Sequence, residues 1–198
     1  MPVTPEPTLL IVYHSVTGGT QQMAQAAARG AGRVAGLKLR LLRAQDAGAD
    51  DLLQANAYVF ATPENLAAIA GLMKDFFDRS YYGALGRIEG RPYALLVCAG
   101  SDGSNTVRQV ERIATGWRLR KVAESRIVCT HAQTPQAIRA PKQITDADLV
   151  ACEEVGELLA LYASCERSGD WPAYGKGAHI IGLPAWARRS RELEIGYV

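Results

Sequence analysis

The chain has 198 residues, of which 48% are hydrophobic, and its formal net charge is +2. This length and hydrophobic content are enough for one domain with a sizeable core, and the composition excludes a disordered, collagen-like or disulfide-stapled chain. Basic and acidic residues are nearly equal in number and are mixed along the chain, which argues against a nucleic-acid-binding surface and favours a small-molecule partner.

Neither a membrane segment nor a metal centre is predicted. The first apolar run, residues 9–13, is far shorter than a membrane span and follows no basic region, so we expect a cytoplasmic protein. The four cysteines include no C-x-x-C pair and no histidine stands at metal-ligand spacing, so we expect packing or surface thiols. These cysteines are Cys98, Cys129, Cys152 and Cys165.

The chain begins with a predicted strand, a glycine-rich turn and a helix. Residues 9–13 form a continuous apolar run, as in a strand buried on both faces of a parallel sheet. Residues 21–30 are rich in alanine and are predicted to be a helix, with Thr20 as its N-cap and Gly30 or Gly32 at its end.

Two strands and two helices are predicted next. Residues 37–42 alternate between apolar and basic side chains, which indicates a strand near a sheet edge, and residues 50–54 form a short helix. Residues 57–61 predict a third, buried strand that ends before Thr62. Residues 66–79 carry apolar side chains at helical spacing and predict an amphipathic helix. We expect three of its side chains to belong to the core, namely Met73, Phe76 and Phe77.

The pattern of strand and helix continues toward the C-terminus. Residues 93–98 predict a fourth strand, residues 105–117 a helix, and residues 125–130 a fifth strand. Residues 146–164 predict a closing helix with Thr145 as its N-cap.

Strands that alternate with helices predict an α/β fold with a doubly wound, five-stranded parallel sheet, because right-handed crossovers place helices on both faces. Residues 1–164 are interpreted as one domain, and residues 165–198 as an irregular C-terminal arm. This arm either packs on a second subunit, which would make a homodimer, or lies on its own domain. Its basic cluster, which a third interpretation assigns to the extra phosphate of NADPH, consists of Arg188, Arg189 and Arg191.

The loop after the first strand carries the strongest functional signal. It has three hydroxyls and two glycines just before a helix N-terminus, where unpaired backbone N–H groups favour an anion. It lacks the lysine of a nucleoside-triphosphate P-loop, so we predict that neutral hydroxyls and amides hold a single phosphomonoester. A plain turn with a helix cap is the alternative. The loop reads Ser15-Val16-Thr17-Gly18-Gly19-Thr20, and His14, which precedes it, either touches the phosphate or packs.

Two later loops extend this signal into a resemblance. Residues 62–65 read Thr-Pro-Glu-Asn and are followed at residues 71–79 by Gly-Leu-Met-Lys-Asp-Phe-Phe-Asp-Arg, and residues 99–103 read Ala-Gly-Ser-Asp-Gly. Together with the first loop, over about residues 9–164, they resemble the flavodoxin and NAD(P)H-dependent FMN reductase (quinone reductase) family. The resemblance implies the strand order 2-1-3-4-5 and FMN held by these three loops.

Carried over by position, each loop has a role toward FMN. The phosphate would be held by Ser15, Thr17, Gly18, Gly19 and Thr20, with the backbone N–H of Val16. One side of the isoalloxazine would be lined by Thr62, Pro63, Glu64 and Asn65, and the other by Ala99, Gly100, Ser101, Asp102 and Gly103. Gly100 and Gly103 would present backbone N–H groups to the flavin. Plain turns, with Asn65 as a helix cap, are the alternative for these two loops.

The resemblance leaves open whether the chain is an enzyme or an electron carrier. The family's carriers stack an aromatic residue on each flavin face, whereas these loops offer none, and the carriers are strongly acidic, whereas this chain is slightly positive. An open face would admit a nicotinamide or a quinone, although Tyr81 or Tyr82 could fold over the ring. We therefore favour an oxidoreductase with NAD(P)H as reductant over a flavodoxin-type carrier, and a module without redox turnover is the third alternative.

Overall fold

The computed structural model describes residues 6–165, so the predicted arm beyond Cys165, with its tryptophans and arginines, lies outside the described residues. The strands are β1 (Thr8–Tyr13), β2 (Lys38–Arg43), β3 (Ala57–Asn65), β4 (Ala68–Ile69), β5 (Pro92–Ala99), β6 (Arg120–Lys121) and β7 (Arg126–Cys129). The helices are α1 (Gly19–Ala31), α2 (Ala49–Gln54), α3 (Gly71–Ala84), α4 (Ser104–Gly116), α5 (Pro135–Arg139) and α6 (Asp146–Cys165).

The main strands form one parallel sheet in the order β2-β1-β3-β5, and β6 and β7 both pair with β5 along its outer side. Only the short β4 runs antiparallel, and it pairs with the end of β3. β7 lies within the predicted fifth strand, residues 125–130, whereas β6 was not predicted. The predicted fold class and the order 2-1-3-4-5 are therefore confirmed.

The sheet is covered on both faces because its central strands are apolar throughout. All residues of β1 and β5 are buried. Leu9 and Ile11 of β1 belong to the core layer that contains α1 and α6, whereas Leu10 and Val12 belong to the layer that contains α3 and α4, as the alternation of a strand requires. Three side chains of the second layer confirm the predicted core of α3, namely Met73, Phe76 and Phe77.

Helices α1 and α6 pack unusually closely on one face of the sheet. A Cβ added to Gly30 would lie 1.9 Å from the carbonyl oxygen of Glu153, and one added to Gly156 would lie 1.9 Å from that of Ala27. Glycine at both positions lets the two backbones touch. Gly30, which was predicted to lie at the end of α1, is therefore also a residue at which α1 contacts α6.

Three predictions about helices need correction. α3 begins at Gly71 and not at residue 66, because residues 64–69 form a β-hairpin with β3 and β4 paired. Thr20 is not the N-cap of α1, because Gly18 adopts a left-handed φ of 86° and the helix begins directly after it. The short α5 was not predicted. The N-cap role of Thr145 is confirmed, since its Oγ1 accepts a hydrogen bond from the Asp148 N–H at 3.2 Å.

No helix within residues 6–165 combines the length and the apolar character needed to cross a bilayer. The same part of the chain contains no group of three or more His, Cys, Asp or Glu residues arranged to bind a metal. Cys98, Cys129 and Cys152 are free thiols, and Cys98 and Cys152 are buried.

Candidate functional site

The three predicted loops meet at the carboxyl edge of the sheet, because β1, β3 and β5 are adjacent and parallel. The first loop joins β1 to α1, the second is the β3–β4 hairpin, and the third joins β5 to α4. This edge is where ligands bind in open α/β sheets. The topology therefore brings the three sequence-distant segments to one place.

The first loop leads into the start of α1, where backbone N–H groups are available to a ligand. Gly18 N–H donates to Ser15 Oγ at 3.1 Å, which fixes the turn, and Val16 at the tip is 70% exposed. The N–H groups of the first turn of α1 have no partner within the helix, as at any helix start. Together with the Ser15 and Thr17 hydroxyls they form a set of neutral donors that fits a phosphate group.

The floor of this loop is packed against the sheet. A Cβ added to Gly19 would lie 2.7 Å from Cys98 Sγ, so only glycine fits there. Thr20 Oγ1 is buried and has no hydrogen-bond partner among the described residues that meets ordinary geometry. The Thr20 hydroxyl nevertheless lies beside the Cys98 thiol and lowers the pKa of that thiol by hydrogen bonding, although burial has the larger effect. Burial raises the pKa of the Cys98 thiol and keeps it neutral.

The second loop is a strained hairpin tied to α4. Leu66 and Ala67 at its tip have φ values of 51° and 57°, a conformation that costs an L-residue about 1 kcal/mol. Two side chains of α4 hold it there: Gln109 Oε1 accepts from the Ile69 N–H at 2.9 Å, and the Asn105 amide donates to the Ala67 carbonyl at 2.6 Å. The Leu66 side chain is fully exposed at the tip.

Glu64 joins the second loop to the third. Its Oε2 accepts from the Gly103 N–H at 3.0 Å, and its Oε1 accepts from Thr106 Oγ1 at 3.5 Å. Gly103 has a φ of 84°, and a Cβ there would lie 2.8 Å from Ile127 Cγ2. The expectation that Gly103 presents its N–H to a flavin does not match this arrangement, because the Glu64 carboxylate already accepts that hydrogen bond.

The site has a local negative character on this side. Burial raises the pKa of the Cys129 thiol, and the carboxylates of Asp102 and Glu64 raise it further. Asp102 also accepts a hydrogen bond from the Ser104 hydroxyl. The second and third loops therefore carry carboxylates and no aromatic side chain.

The predicted site residues fall into two groups by exposure. Ser15, Val16, Thr17, Gly18, Pro63, Glu64, Asn65, Gly100, Ser101 and Asp102 are at least partly exposed at the edge. Gly19, Thr20, Thr62, Ala99 and Gly103 are buried beneath it. Thr62 has no exposed surface, and its hydroxyl donates to the Pro63 carbonyl at 3.1 Å, so it supports the loop from below.

Tyr81 and Tyr82 do not approach the site. α3 begins at Gly71 beside the hairpin and runs away from it, and Tyr81 lies ten residues further on, which is about 15 Å along the helix axis. The Tyr81 carbonyl there accepts from the indole N–H of the buried Trp117 at 3.4 Å. Neither tyrosine can therefore cover a ring held between the second and third loops.

A segment that was not predicted to belong to the site lies against the first loop. The Lys142 N–H donates to the Thr17 carbonyl at 2.8 Å. The Gln22 side chain donates to the Lys142 carbonyl at 2.7 Å and accepts from the Ile144 N–H at 3.2 Å. The available signal was topological, because this segment follows β7 and the carboxyl ends of all parallel strands meet at this edge.

His14 lies beside the first loop in a small polar pocket. Burial, and then the guanidinium of Arg43, lower the pKa of His14 below its ordinary value of 6.5. A neutral imidazole packed near an arginine has no excess charge to offer a phosphate. The pocket is lined by Tyr13, His14, Ser15, Gln21, Arg43 and Gln45.

Comparisons with known proteins agree with this geometry. Residues 43–134 match the family described as NADPH-dependent FMN reductase. A flavodoxin of Aquifex aeolicus is 32% identical over 94 residues, which cover 48% of this chain and 49% of that protein. An NAD(P)H dehydrogenase (quinone) of Acidithiobacillus ferrooxidans is 30% identical over 92 residues, covering 36% of this chain and 46% of that protein.

Among solved structures, a flavodoxin from the domain Archaea superposes with a TM-score of 0.64 at 18% identity, covering 79% of this chain and 98% of that one. At such identity the likeness shows the fold alone. The chain spans about half the length of the curated relatives it matches. The family match begins after the first loop, so it includes the second and third loops but not residues 15–20.

Proposed function

We propose that the protein binds FMN and passes electrons from NAD(P)H to a small acceptor such as a quinone or a flavin, because residues 43–134 match the family described as NADPH-dependent FMN reductase and the similar curated proteins are a flavodoxin and an NAD(P)H dehydrogenase (quinone). The first loop holds the phosphate, and the isoalloxazine lies between the second and third loops.

The fit of the first loop supports FMN as the ligand. The N–H groups at the start of α1 and the partly exposed hydroxyls of Ser15 and Thr17 together suit a phosphate. The glycine floor at Gly19 keeps the turn low against Cys98, which leaves room above the helix start. When bound, FMN supplies hydride transfer, a chemistry that no side chain of the described residues provides by itself.

The observation that carries the enzyme proposal is the absence of aromatic side chains from the second and third loops, residues 62–69 and 99–105. Neither loop has an aromatic side chain, and both Tyr81 and Tyr82 are at the far end of α3. A nicotinamide or quinone must stack on the flavin to exchange a hydride, and neither loop has an aromatic side chain that would compete for this position. Glu64 holds the two loops together through the Gly103 N–H.

The test is anaerobic mixing of the FMN-loaded protein with NADH or NADPH, followed by a quinone. We expect the visible flavin absorbance to bleach with at least one nicotinamide at about 1 s⁻¹ or faster, and to return with the quinone. The second candidate, a flavodoxin-type carrier, is favoured by the likeness to the Aquifex aeolicus flavodoxin. Bleaching with dithionite but with neither nicotinamide would select the carrier.

A protein that purifies colourless and does not take up added FMN would contradict both candidates. That result would instead support the third alternative, a binding module that keeps the fold without redox turnover.

A further inference from the structure

We propose that Lys142 supplies a positive charge to the phosphate site of the first loop, and that it makes the protein prefer FMN over riboflavin. The inference rests on the proposed binding of FMN. It adds to the site a residue that lies 120 positions after Gln22 in sequence, whereas the first loop itself contains no lysine or arginine.

The backbone of Lys142 is fixed beside the loop. Its N–H donates to the Thr17 carbonyl, and its carbonyl accepts from the Gln22 side chain. Its Cβ would lie 3.2 Å from a Cβ added to Gly19. The side chain of residue 142 therefore starts next to the turn at Gly18 and Gly19, where the phosphate is proposed to bind.

The ammonium group of Lys142 is bound by backbone carbonyls and by no acidic side chain among the described residues. It donates to the carbonyls of Ala137, Ile138 and Ala140 at 2.6, 2.9 and 2.7 Å, near the C-terminal end of α5. These partners are neutral, and no carboxylate among the described residues is within salt-bridge distance of this ammonium. The whole segment of residues 131–145 contains no Asp or Glu. The charge is thus available to a neighbouring anion.

The positive charge of Lys142 acts on Cys98, which lies below the first loop. It lowers the pKa of the Cys98 thiol, against the larger effect of burial, and Cys98 lies directly below Gly19. A phosphate above Gly19 carries up to two negative charges, and a cation nearby stabilises them more than neutral donors do. Riboflavin has no phosphate and gains nothing from this charge.

The test measures dissociation constants of the full-length protein for FMN and for riboflavin by quenching of flavin fluorescence, at low and at high salt. We expect Lys142→Met to weaken FMN binding about tenfold, to leave riboflavin binding within about twofold, and to reduce the salt dependence of FMN binding. Lys142→Arg keeps the charge and should retain most of the FMN preference. The matched control is Lys38→Met, which removes one exposed positive charge. Lys38 lies at the N-terminal end of β2, away from the carboxyl edge of the sheet where the first loop lies.

Equal weakening of FMN and riboflavin binding in Lys142→Met would overturn the proposal, because it would show that Lys142 only supports α5 and the loop. Unchanged FMN binding would overturn it as well. Circular dichroism checks the fold, and Lys142→Gln, which keeps a donor for the α5 carbonyls without the charge, replaces Lys142→Met if that variant does not fold.

A separate measurement distinguishes failure of this inference from failure of the proposed function. Should the wild type bind neither flavin, the proposed function fails, and inorganic phosphate then tests Lys142 alone. Phosphate that raises the melting temperature of the wild type but not that of Lys142→Met would support the charge at this loop, and an equal rise in both would overturn it.

Discussion

At several positions of the candidate site, the space available for a side chain explains which residue type is present. Gly19 is an example, because its backbone conformation needs no glycine, yet Cys98 Sγ leaves no room for a Cβ. Gly18 and Gly103 are different, since both adopt left-handed φ values. The glycines were visible in the sequence, but which of them serves packing and which serves conformation depends on neighbours far along the chain.

Replacing Gly19 by Ala should destabilise the protein by about 1–3 kcal/mol, because the new methyl group overlaps Cys98 Sγ and crowds Lys142 Cβ. Urea unfolding measures the change. Gly116→Ala is the control, since a Cβ there meets nothing within 4 Å, and it should leave stability unchanged or slightly raised. A cost for Gly19→Ala no larger than that of the control would contradict the packing argument.

His14 should make stability depend on pH near neutrality. Its pKa in the folded protein lies below the 6.5 of an unfolded chain, so the unfolded state binds more protons between the two values and stability falls as pH drops below 6.5. From about pH 7.5 to about pH 5.5 the wild type should lose more stability than His14→Asn, by less than about 1.4 kcal/mol since the ring is partly solvated. Unfolding curves at both pH values test this, and an equal loss in the two proteins would refute it.

At the scale of elements, hydrophobic periodicity predicted the buried strands and the core correctly. It did not predict the conformation of the loops. Strands 57–61 and 93–98 were predictable because buried parallel strands are continuous apolar runs. The start of α3 was not, because the hairpin at residues 64–69 is held by Asn105 and Gln109 of α4, and local pattern carries no information about those partners. Helix α1 was predicted from its alanine content, but its close backbone contact with α6 was not predicted.

The α1–α6 contact should be intolerant of any side chain at its two glycines. Gly156→Ala places a Cβ 1.9 Å from the Ala27 carbonyl oxygen, so the helices must separate, and we expect a loss of at least about 3 kcal/mol or failure to fold. Gly32→Ala, whose Cβ would make a contact of 3.4 Å near the end of α1, is the matched variant. Thermal unfolding of both variants measures the difference. Similar melting temperatures would show that the helices adjust easily.

At the scale of the whole molecule, parallel pairing of β1, β3 and β5 assembles one site from three loops. At the other edge of the sheet, side chains stabilise the fold and are not part of the candidate site. One example is Arg91, whose Nη1 donates to the carbonyls of Leu52, Leu53 and Ala55.

Binding of FMN should therefore protect all three loops together. Hydrogen exchange with and without FMN should slow by about tenfold or more in peptides covering residues 15–22, 62–69 and 99–105, as expected for groups that a ligand shields. The C-terminal half of α3, with Tyr81 and Tyr82, should not change, because it lies at the far end of the helix. Protection confined to residues 15–22 would place the phosphate correctly but contradict the proposed position of the isoalloxazine.

The sequence by itself determined the fold class and the buried strands, and it is the source of the prediction that the first loop holds a phosphate, because apolar runs and a glycine-rich helix start act locally. Tertiary structure decided what local pattern cannot encode: that Glu64 holds Gly103, that Tyr81 and Tyr82 are remote, and that Lys142 lies against Thr17. The physical reason is that these contacts join residues far apart in sequence, and only the order and direction of the strands bring them to the same edge.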